Sequence, residues 1–349
     1  MNRKKIINAL SSLGLFLSQF EYSDGKKKQL DLNKDFYREF DTLILDLKAY
    51  NGWFDEKHVR RSLGQISKWL TDDNLKDWSS RYIWCDHPKK IAVIMAGNLP
   101  LVGIHDYFSV LLSGHFLLVK MSSNDNILLP FIHRVLVYID SELKDRVEFS
   151  ESKLKGFDAV IATGSNNSAR YFSHYFSKLP HVIRKNRNSV AVLSGNESPD
   201  ELKALADDVF SYYGLGCRNV SKVYVPMAYD FRLLFEAFYD YNNVTDNQKF
   251  SNNYDYYKAI YLMGGNEILD NGFLLLKEDA SISSPISVLH YEFYSDESVL
   301  QKHIDENRPF IQCLVSNFLP GSIVFGQSQS PSLLDYADGV DTMEFLTGL

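Results

Sequence analysis

The stretch GLGCRNVSKVYVP, Gly214 to Pro226, sets one thiol, Cys217, on a glycine-flanked bend directly before a β-branched, alternating run that predicts a strand. Glycines let the backbone and its N–H groups approach a substrate closely, so a cysteine here is a candidate nucleophile. Cysteine is also among the most buried residue types and most buried thiols are inert, so the stretch alone leaves both readings open. Other polar residues able to do chemistry follow short apolar runs. Asn98 follows IAVIMAG (Ile91 to Gly97), Lys120 with Ser122 and Ser123 closes FLLVKM (Phe116 to Met121), and Thr163, Gly164 and Ser165 close AVIATGS (Ala159 to Ser165). Singly, each has an ordinary structural role: a turn or cap for Asn98, a solvated strand end for Lys120, a helix N-cap for the TGS group. No GxGxxG or GxxxxGK[ST] sequence occurs in this region, which excludes a standard dinucleotide fingerprint and a P-loop. The nine histidines lack metal-ligand spacing. The three cysteines, Cys85, Cys217 and Cys313, are far apart and lack the paired spacing of a zinc site or a disulfide framework. No metal is therefore expected, and the cysteine usage fits a reducing cytoplasm.

The elements that would position these residues follow from the texture of the chain. Up to about Lys90, helical periodicity alternates with polar breaks such as TDDN, and strand signals are few. From Lys90 onward, short continuous apolar runs alternate with helical stretches: the three runs above, with helices over Ile127 to Leu143 and Ser168 to Phe176, and a fourth run, SVAVLSG (Ser189 to Gly195), that closes the series. This pattern predicts a parallel sheet covered on both faces, hence a doubly wound α/β domain. A second unit repeats it: a helix with Ser198 as its N-cap and Pro199 in its first turn, then the Cys217 bend and SKVYVP, then strands ISVLHYEFY, IQCLVSNF and SIVFG. In such sheets ligands bind outside the carboxyl ends of the strands, where Asn98, Lys120 and the TGS group fall.

Bulk properties bound the function. A chain of 349 residues exceeds one simple core, and with 45% hydrophobic residues it can bury two. A formal net charge of −7 supplies no broad phosphate-neutralising surface, which argues against nucleic-acid binding. The positive start followed by an apolar region has the outline of a secretory signal, but Asn8, Ser11, Ser12, Ser18 and Gln19 interrupt it. Ile6, Leu10, Leu13, Leu17 and Phe20 instead recur at helical spacing, the pattern of a packing helix. No apolar run approaches the ~18 residues that span a bilayer.

Taken in order, the GNLP turn after a strand, the lysine ending the next strand, the TGS group after the third and the cysteine before a later strand resemble the aldehyde dehydrogenase superfamily. Within it the chain resembles the acyl thioester reductases, the LuxC family, whose best-known members supply aldehyde to bacterial luciferase. The resemblance runs from about Lys90 to about Asn317. It implies an α/β, aldehyde dehydrogenase-like fold of two doubly wound domains with a helical N-terminal lead-in. The corresponding division is 1–89 as a helical region packing on the cofactor domain, 90–190 as an NAD(P)-binding Rossmann-like domain, 191–319 as the catalytic domain carrying Cys217, and 320–349 as a strand and tail open to an oligomer contact. By the same resemblance Cys217 is the catalytic nucleophile, and the Asn98 amide with the Cys217 N–H forms the oxyanion hole. Lys120 contacts the adenosine ribose, with Ser122 and Ser123 beside it. Thr163, Gly164 and Ser165 open a helix beneath the cofactor pyrophosphate, where N-terminal amides favour an anion. Cys85 falls outside the matched motifs and Cys313 lies inside an apolar strand, so both read as packing residues.

Three departures refine the expectation. Where hydrolytic aldehyde dehydrogenases carry a glutamate base, this chain has IRKNR, Ile183 to Arg187, without a carboxylate. An acyl-cysteine here should not be rapidly hydrolysed, which favours reduction or transfer to another thiol. Three residues after the lysine, NAD-preferring members often have a glutamate that repels a 2′-phosphate; here Ser123 should accept NADPH, with NADH possible. The Glu-x-Phe position of the nicotinamide-ribose contact reads Ser281-Ile282-Ser283. The reaction implied is NADPH-dependent reduction of an acyl-CoA, acyl-carrier or acyl-protein thioester to an aldehyde through an acyl-cysteine. The alternatives are a CoA-acylating aldehyde dehydrogenase, a non-catalytic nucleotide-binding subunit and a thiol-dependent acyltransferase. A cytoplasmic homo-oligomer without a membrane span is expected by analogy.

Overall fold

The computed structural model describes residues 2–22 and 25–349 and divides the chain into two units, residues 1–185 with 332–349, and residues 186–331. Among the described residues of the first unit, four α-helices precede the first strand: α1 (Arg3–Leu17), α2 (Tyr37–Tyr50), α3 (Glu56–Trp69) and α4 (Asp72–Ser80). The side-chain oxygens of Asn2, Asp55 and Thr71 accept the backbone N–H groups that open α1, α3 and α4, as capping residues should. Ile6, Leu10, Leu13, Leu17 and Phe20, the predicted apolar stripe, are all buried. Their core is continuous with that of the first sheet and with α5 (Ile104–Ser113) and α6 (Leu128–Ile139).

The first sheet is wholly parallel. Its strands are β1 (Lys90–Ile94), β2 (Phe116–Lys120), β3 (Val147–Phe149), β4 (Ala159–Thr163) and β5 (His181–Arg184), in the spatial order β3-β2-β1-β4-β5. The interiors of β1 and β2 are buried, because helices cover both faces: α5 and α6 on one, α7 (Asn166–Tyr175) on the other, where Phe172 and Phe176 pack against Ala92, Val160 and Ala162.

The second unit holds β6 (Asn188–Val192), α8 (Pro199–Phe210), β7 (Val220–Pro226), α9 (Phe231–Phe238), α10 (Gln248–Met263), β8 (Leu269–Asp270), β9 (Leu275–Glu278), β10 (Val288–Tyr294), α11 (Glu297–Glu306) and β11 (Ile311–Val315). Its sheet runs β11-β6-β7-β10-β9-β8 and is parallel apart from the short β8, which pairs antiparallel with β9. Ser198 and Glu201 close a capping box at the start of α8 with Pro199 in its first turn.

Three expectations change. The run Ser189 to Gly195 opens the second sheet rather than closing the first, so the division falls between residues 185 and 186, not 190 and 191; β5 closes the first sheet. Burial on both faces gives every central parallel strand the same apolar texture, which carries no label of sheet membership. Ser322 to Gly326 is not a strand of its own, since Ile323 makes a single parallel bridge to Val315. The segment 332–349, expected as part of a tail, folds into the first unit: α12 (Thr342–Thr347) buries Met343 and Leu346 in its core, and the Leu346 carbonyl bonds the buried His115 ring at 2.9 Å.

Candidate functional site

In the first unit the spatial order of strands reverses between β1 and β4, and the crevice at the carboxyl ends of those strands is where a doubly wound sheet offers a ligand site. Seven of the predicted residues lie on that edge of the sheet. Asn98 is exposed in the turn leaving β1. Lys120 ends β2 opposite Ile94, half-buried, and donates from Nζ to the Glu151 carbonyl at 2.6 Å. Ser122 is turned inward to accept the Asn124 N–H at 3.2 Å, while Ser123 is exposed. Thr163 ends β4, and Ser165 caps α7 by accepting the Ser168 N–H at 3.2 Å. Between them Gly164 allows close strand–helix packing: a Cβ there would stand 2.9 Å from the Ser168 Cβ.

Beside Lys120 opens a cleft of about 780 Å³, walled by Ile94, Leu154, Phe157, Phe176 and Leu179 with Glu151, Ser152, Lys153 and Tyr175 at its polar parts. Apolar walls with a few polar groups suit a flat heteroaromatic ring carrying a sugar. Of the residues singled out in the sequence, Lys120 alone lines this cleft; its walls come from the loop before β4 and the end of α7 and were not singled out. Arg184, in the stretch Ile183 to Arg187, is buried and paired with Asp106, and it donates to the Thr342 hydroxyl at 2.7 Å. That stretch is thus tied into the core of its own unit.

In the second unit Cys217 is solvent-exposed, on the loop that joins α8 to the amino end of β7. The approach to it is unusual. Tyr212 (φ 52°), Tyr213 (φ 59°) and Gly214 (φ 76°) are three successive residues in the left-handed region. Two of them carry side chains that rarely adopt it, a conformation that persists only where the surroundings enforce it.

Asn219 supplies much of that enforcement. It is 2% exposed, its Oδ1 accepts the Gly216 N–H at 2.8 Å, and its amide donates to the carbonyls of Asp208 (3.0 Å), Val209 (3.3 Å) and Ser211 (2.8 Å). One side chain thus satisfies the orphan carbonyls at the end of α8 and the loop amide preceding Cys217. Ser189 donates to the Cys217 carbonyl at 3.0 Å and accepts the Cys313 N–H at 3.0 Å. Arg218 donates from Nε to the Ser328 carbonyl at 2.5 Å. The loop holding Ser328 is fixed in turn by the fully buried Asp208, which accepts the N–H groups of Gly326 (2.6 Å) and Ser328 (2.9 Å). Burial pushes the Asp208 carboxyl up to about 6.

The Ser281 to Ser283 segment is anchored mainly through backbone carbonyls. Lys222, fully buried, donates to Ala280 O at 2.8 Å, Ser221 donates to Ile282 O at 2.7 Å, and the His290 Nδ1 lies 2.9 Å from Ser281 O. Cys313 is buried in β11, as a packing residue should be, whereas Cys85 is half-buried and its Sγ approaches the His87 carbonyl at 3.2 Å. Among the described residues no cluster of three or more His, Cys, Asp or Glu could hold a metal ion, and no helix is long and apolar enough to cross a membrane.

A sequence profile of the acyl-CoA reductase (LuxC) family matches residues 1–232. A long-chain acyl-protein thioester reductase of Aliivibrio fischeri is 25% identical over 263 residues, which are 63% of this chain and 52% of that protein; the chain thus spans about half the length of the curated relative it matches. Among solved structures, aldehyde dehydrogenase 21 from Physcomitrella patens, in complex with the reaction product succinate, superposes with a TM-score of 0.68 at 13% identity, covering 100% of this chain and 84% of that one. A Mycobacterium tuberculosis aldehyde dehydrogenase complexed with NAD+ gives 0.63 at 12% identity, covering 90% and 73%. At such identities these two likenesses speak for the fold, which is aldehyde dehydrogenase-like.

Proposed function

From the premise that the chain belongs to the acyl-CoA reductase (LuxC) family, we propose that it reduces an acyl thioester to an aldehyde through an acyl-cysteine at Cys217. The observation that carries this reading is an exposed Cys217 on a loop locked by the buried Asn219. A nucleophile must be reachable and yet held still, and a thiol kept only for packing needs neither property.

In the proposed reaction the Cys217 sulfur, as thiolate, attacks the thioester carbonyl. A new carbon–sulfur bond forms, the bond to the carrier sulfur breaks, and the carrier leaves as a thiol with the proton that Cys217 gave up. The Asn98 carboxamide, with the Cys217 N–H, donates to the oxygen on which negative charge gathers. A nicotinamide cofactor, when bound, supplies the hydride that turns the acyl group into an aldehyde. Breakage of the Cys217–carbon bond then returns Sγ as a thiolate. With no carboxylate in Ile183 to Arg187 to activate water, the acyl-cysteine is protected from hydrolysis, which favours aldehyde over free acid.

The cofactor residues fit a dinucleotide by their chemistry. Lys120 borders the apolar cleft for a ribose hydroxyl, and the Ser165-capped start of α7, which Gly164 lets pack close to the end of β4, offers N–H donors for a pyrophosphate. The neutral, exposed Ser123 supports NADPH as the preferred form, since no carboxylate stands there to repel a 2′-phosphate. The substrate is read as an acyl-CoA, acyl-carrier or acyl-protein thioester, handled in the cytoplasm by a homo-oligomer.

The test is NADPH absorbance with a panel of acyl-CoAs. The wild type should oxidise NADPH in step with aldehyde release and Cys217→Ser should not; equal oxidation by both would remove the thiol from the mechanism.

A further inference from the structure

The turn that carries Asn98 is held by a neighbour to which the reaction above gives no role. We propose that Asp125 is a positioning residue for Asn98, acting through the backbone of the turn 97–101; the catalytic part of this inference rests on Asn98 being the oxyanion donor. Four observations carry it. Leu101 is buried with φ 60°, a left-handed conformation that a leucine adopts only under constraint. Its N–H donates to Asp125 Oδ2 at 2.7 Å, the side-chain contact that meets this strained residue's amide. Gly97, on the other side of Asn98, is pressed against the same turn: a Cβ there would lie 2.5 Å from Ser122 Oγ and 3.1 Å from the Asp125 N. The Asp125 turn is itself rigid, closed by the Asp125 N–H to Ser122 O bond at 3.2 Å and the Asn124 N–H to Ser122 Oγ bond at 3.2 Å, and tied to the end of α2 by Asn51 Nδ2 on Asn124 O at 3.1 Å.

Asn98 thus stands between two fixed points, Gly97 and Leu101, both set by the turn after β2. Burial also raises the Asp125 carboxyl to about 6, and its Oδ1 is a buried oxygen with no hydrogen-bond partner. A carboxylate is tolerated at such a site when its other oxygen does work that a smaller side chain cannot do. Asparagine keeps one carbonyl oxygen for the Leu101 N–H, whereas alanine leaves that donor unmet.

The decisive comparison is among Asp125→Ala, Asp125→Asn and Asn98→Ala, read in two ways. Amide hydrogen exchange over 97–103, which needs no activity, should be at least about tenfold faster in Asp125→Ala and near wild type in Asp125→Asn. Unchanged exchange in Asp125→Ala overturns the positioning role, whatever the protein catalyses. In turnover, Asp125→Ala should lower kcat by about tenfold or more, with KM for NADPH within about twofold, and Asp125→Asn should restore most of it. Placed on Asn98→Ala, the alanine should cost nothing further, because a residue acting through Asn98 has no effect once that amide is gone. An equal loss in both backgrounds overturns the link to Asn98. A full-rate Asn98→Ala enzyme instead refutes the oxyanion assignment and, with it, the catalytic part of this inference, while the exchange result still decides the structural part. If Asp125→Ala fails to fold, Asp125→Ser, whose hydroxyl is too short to follow the carboxylate to Leu101, carries the same comparison.

Discussion

At single residues, the proposed roles of Asn98 and Asn219 differ in what their removal costs. Asn98→Ala should lower kcat by roughly 10² to 10³, the usual loss for one oxyanion donor, while NADPH affinity measured by nucleotide fluorescence stays within about twofold. A large loss of affinity would move Asn98 from the reacting carbonyl to the cofactor. Asn219→Ala should act by another route. It leaves the Gly216 N–H and the carbonyls of Asp208, Val209 and Ser211 without their common partner. Unsatisfied buried groups of this kind destabilise by roughly 2–4 kcal/mol. Urea denaturation should show that loss, and alkylation of Cys217 by iodoacetamide should change with it, since the loop is no longer pinned. Asn98 was legible in the sequence because it ends an apolar run in a turn rich in glycine and proline. Asn219 was not: two residues from a candidate nucleophile, an asparagine reads as loop polarity, and its worth comes from three carbonyls at the end of a helix that only folding brings to it.

At the scale of elements, the alternation of apolar runs with helices revealed the parallel strands and their order along the chain, because burial on both faces leaves its mark in every strand. What it could not reveal was which sheet a strand joins. Ser189 to Val192 has the same texture as Ala159 to Thr163, and only hydrogen-bond register, Val190 beside Lys222 and Val160 beside His181, separates them. The fold of the C-terminal segment was hidden for a similar reason: its apolar residues are interrupted by Asp335, Asp338, Asp341 and Glu344, and the burial of Met343 and Leu346 depends on a surface offered by the rest of the first unit. The junction of β4 and α7 makes a prediction at this scale. Gly164→Val would drive a side chain against Ser168, 2.9 Å from its Cβ, and push the start of α7 away from the strand end. NADPH affinity should fall by about tenfold or more in isothermal titration, whereas acylation of Cys217 in the absence of NADPH should proceed as in the wild type. Undiminished NADPH binding would remove the start of α7 from the cofactor site.

For the molecule as a whole, buried titratable groups set how stability answers to pH, with opposite signs in different places. His133, held beside the Tyr107 hydroxyl at 2.8 Å, is lowered by burial from 6.5 to about 4. A depressed histidine stays neutral in the folded chain while the unfolded chain takes up a proton. Its contribution is therefore present above 6.5 and is lost as pH falls through 4. Asp125 and Asp208, raised by burial to about 6, behave in reverse. Each contributes stability below the ordinary carboxylate range, and that contribution is lost as pH rises through 6. In urea melts taken from pH 7 to pH 4, His133→Phe should therefore lose less stability than the wild type, by up to roughly 3 kcal/mol. Asp208→Asn should lose more, because it lacks the offsetting gain. Parallel pH curves for wild type and variants would contradict both assignments.

The central claim is that a covalent acyl group passes through one sulfur, and intact-mass spectrometry tests it most directly. Incubated with an acyl-CoA and no NADPH, the protein should gain one acyl mass per chain, mapped by peptide fragmentation to Cys217, and should release it as aldehyde when NADPH is added. An adduct on Cys85 or Cys313 instead, or turnover to aldehyde by a Cys217→Ser chain that never gains the mass, would contradict the account.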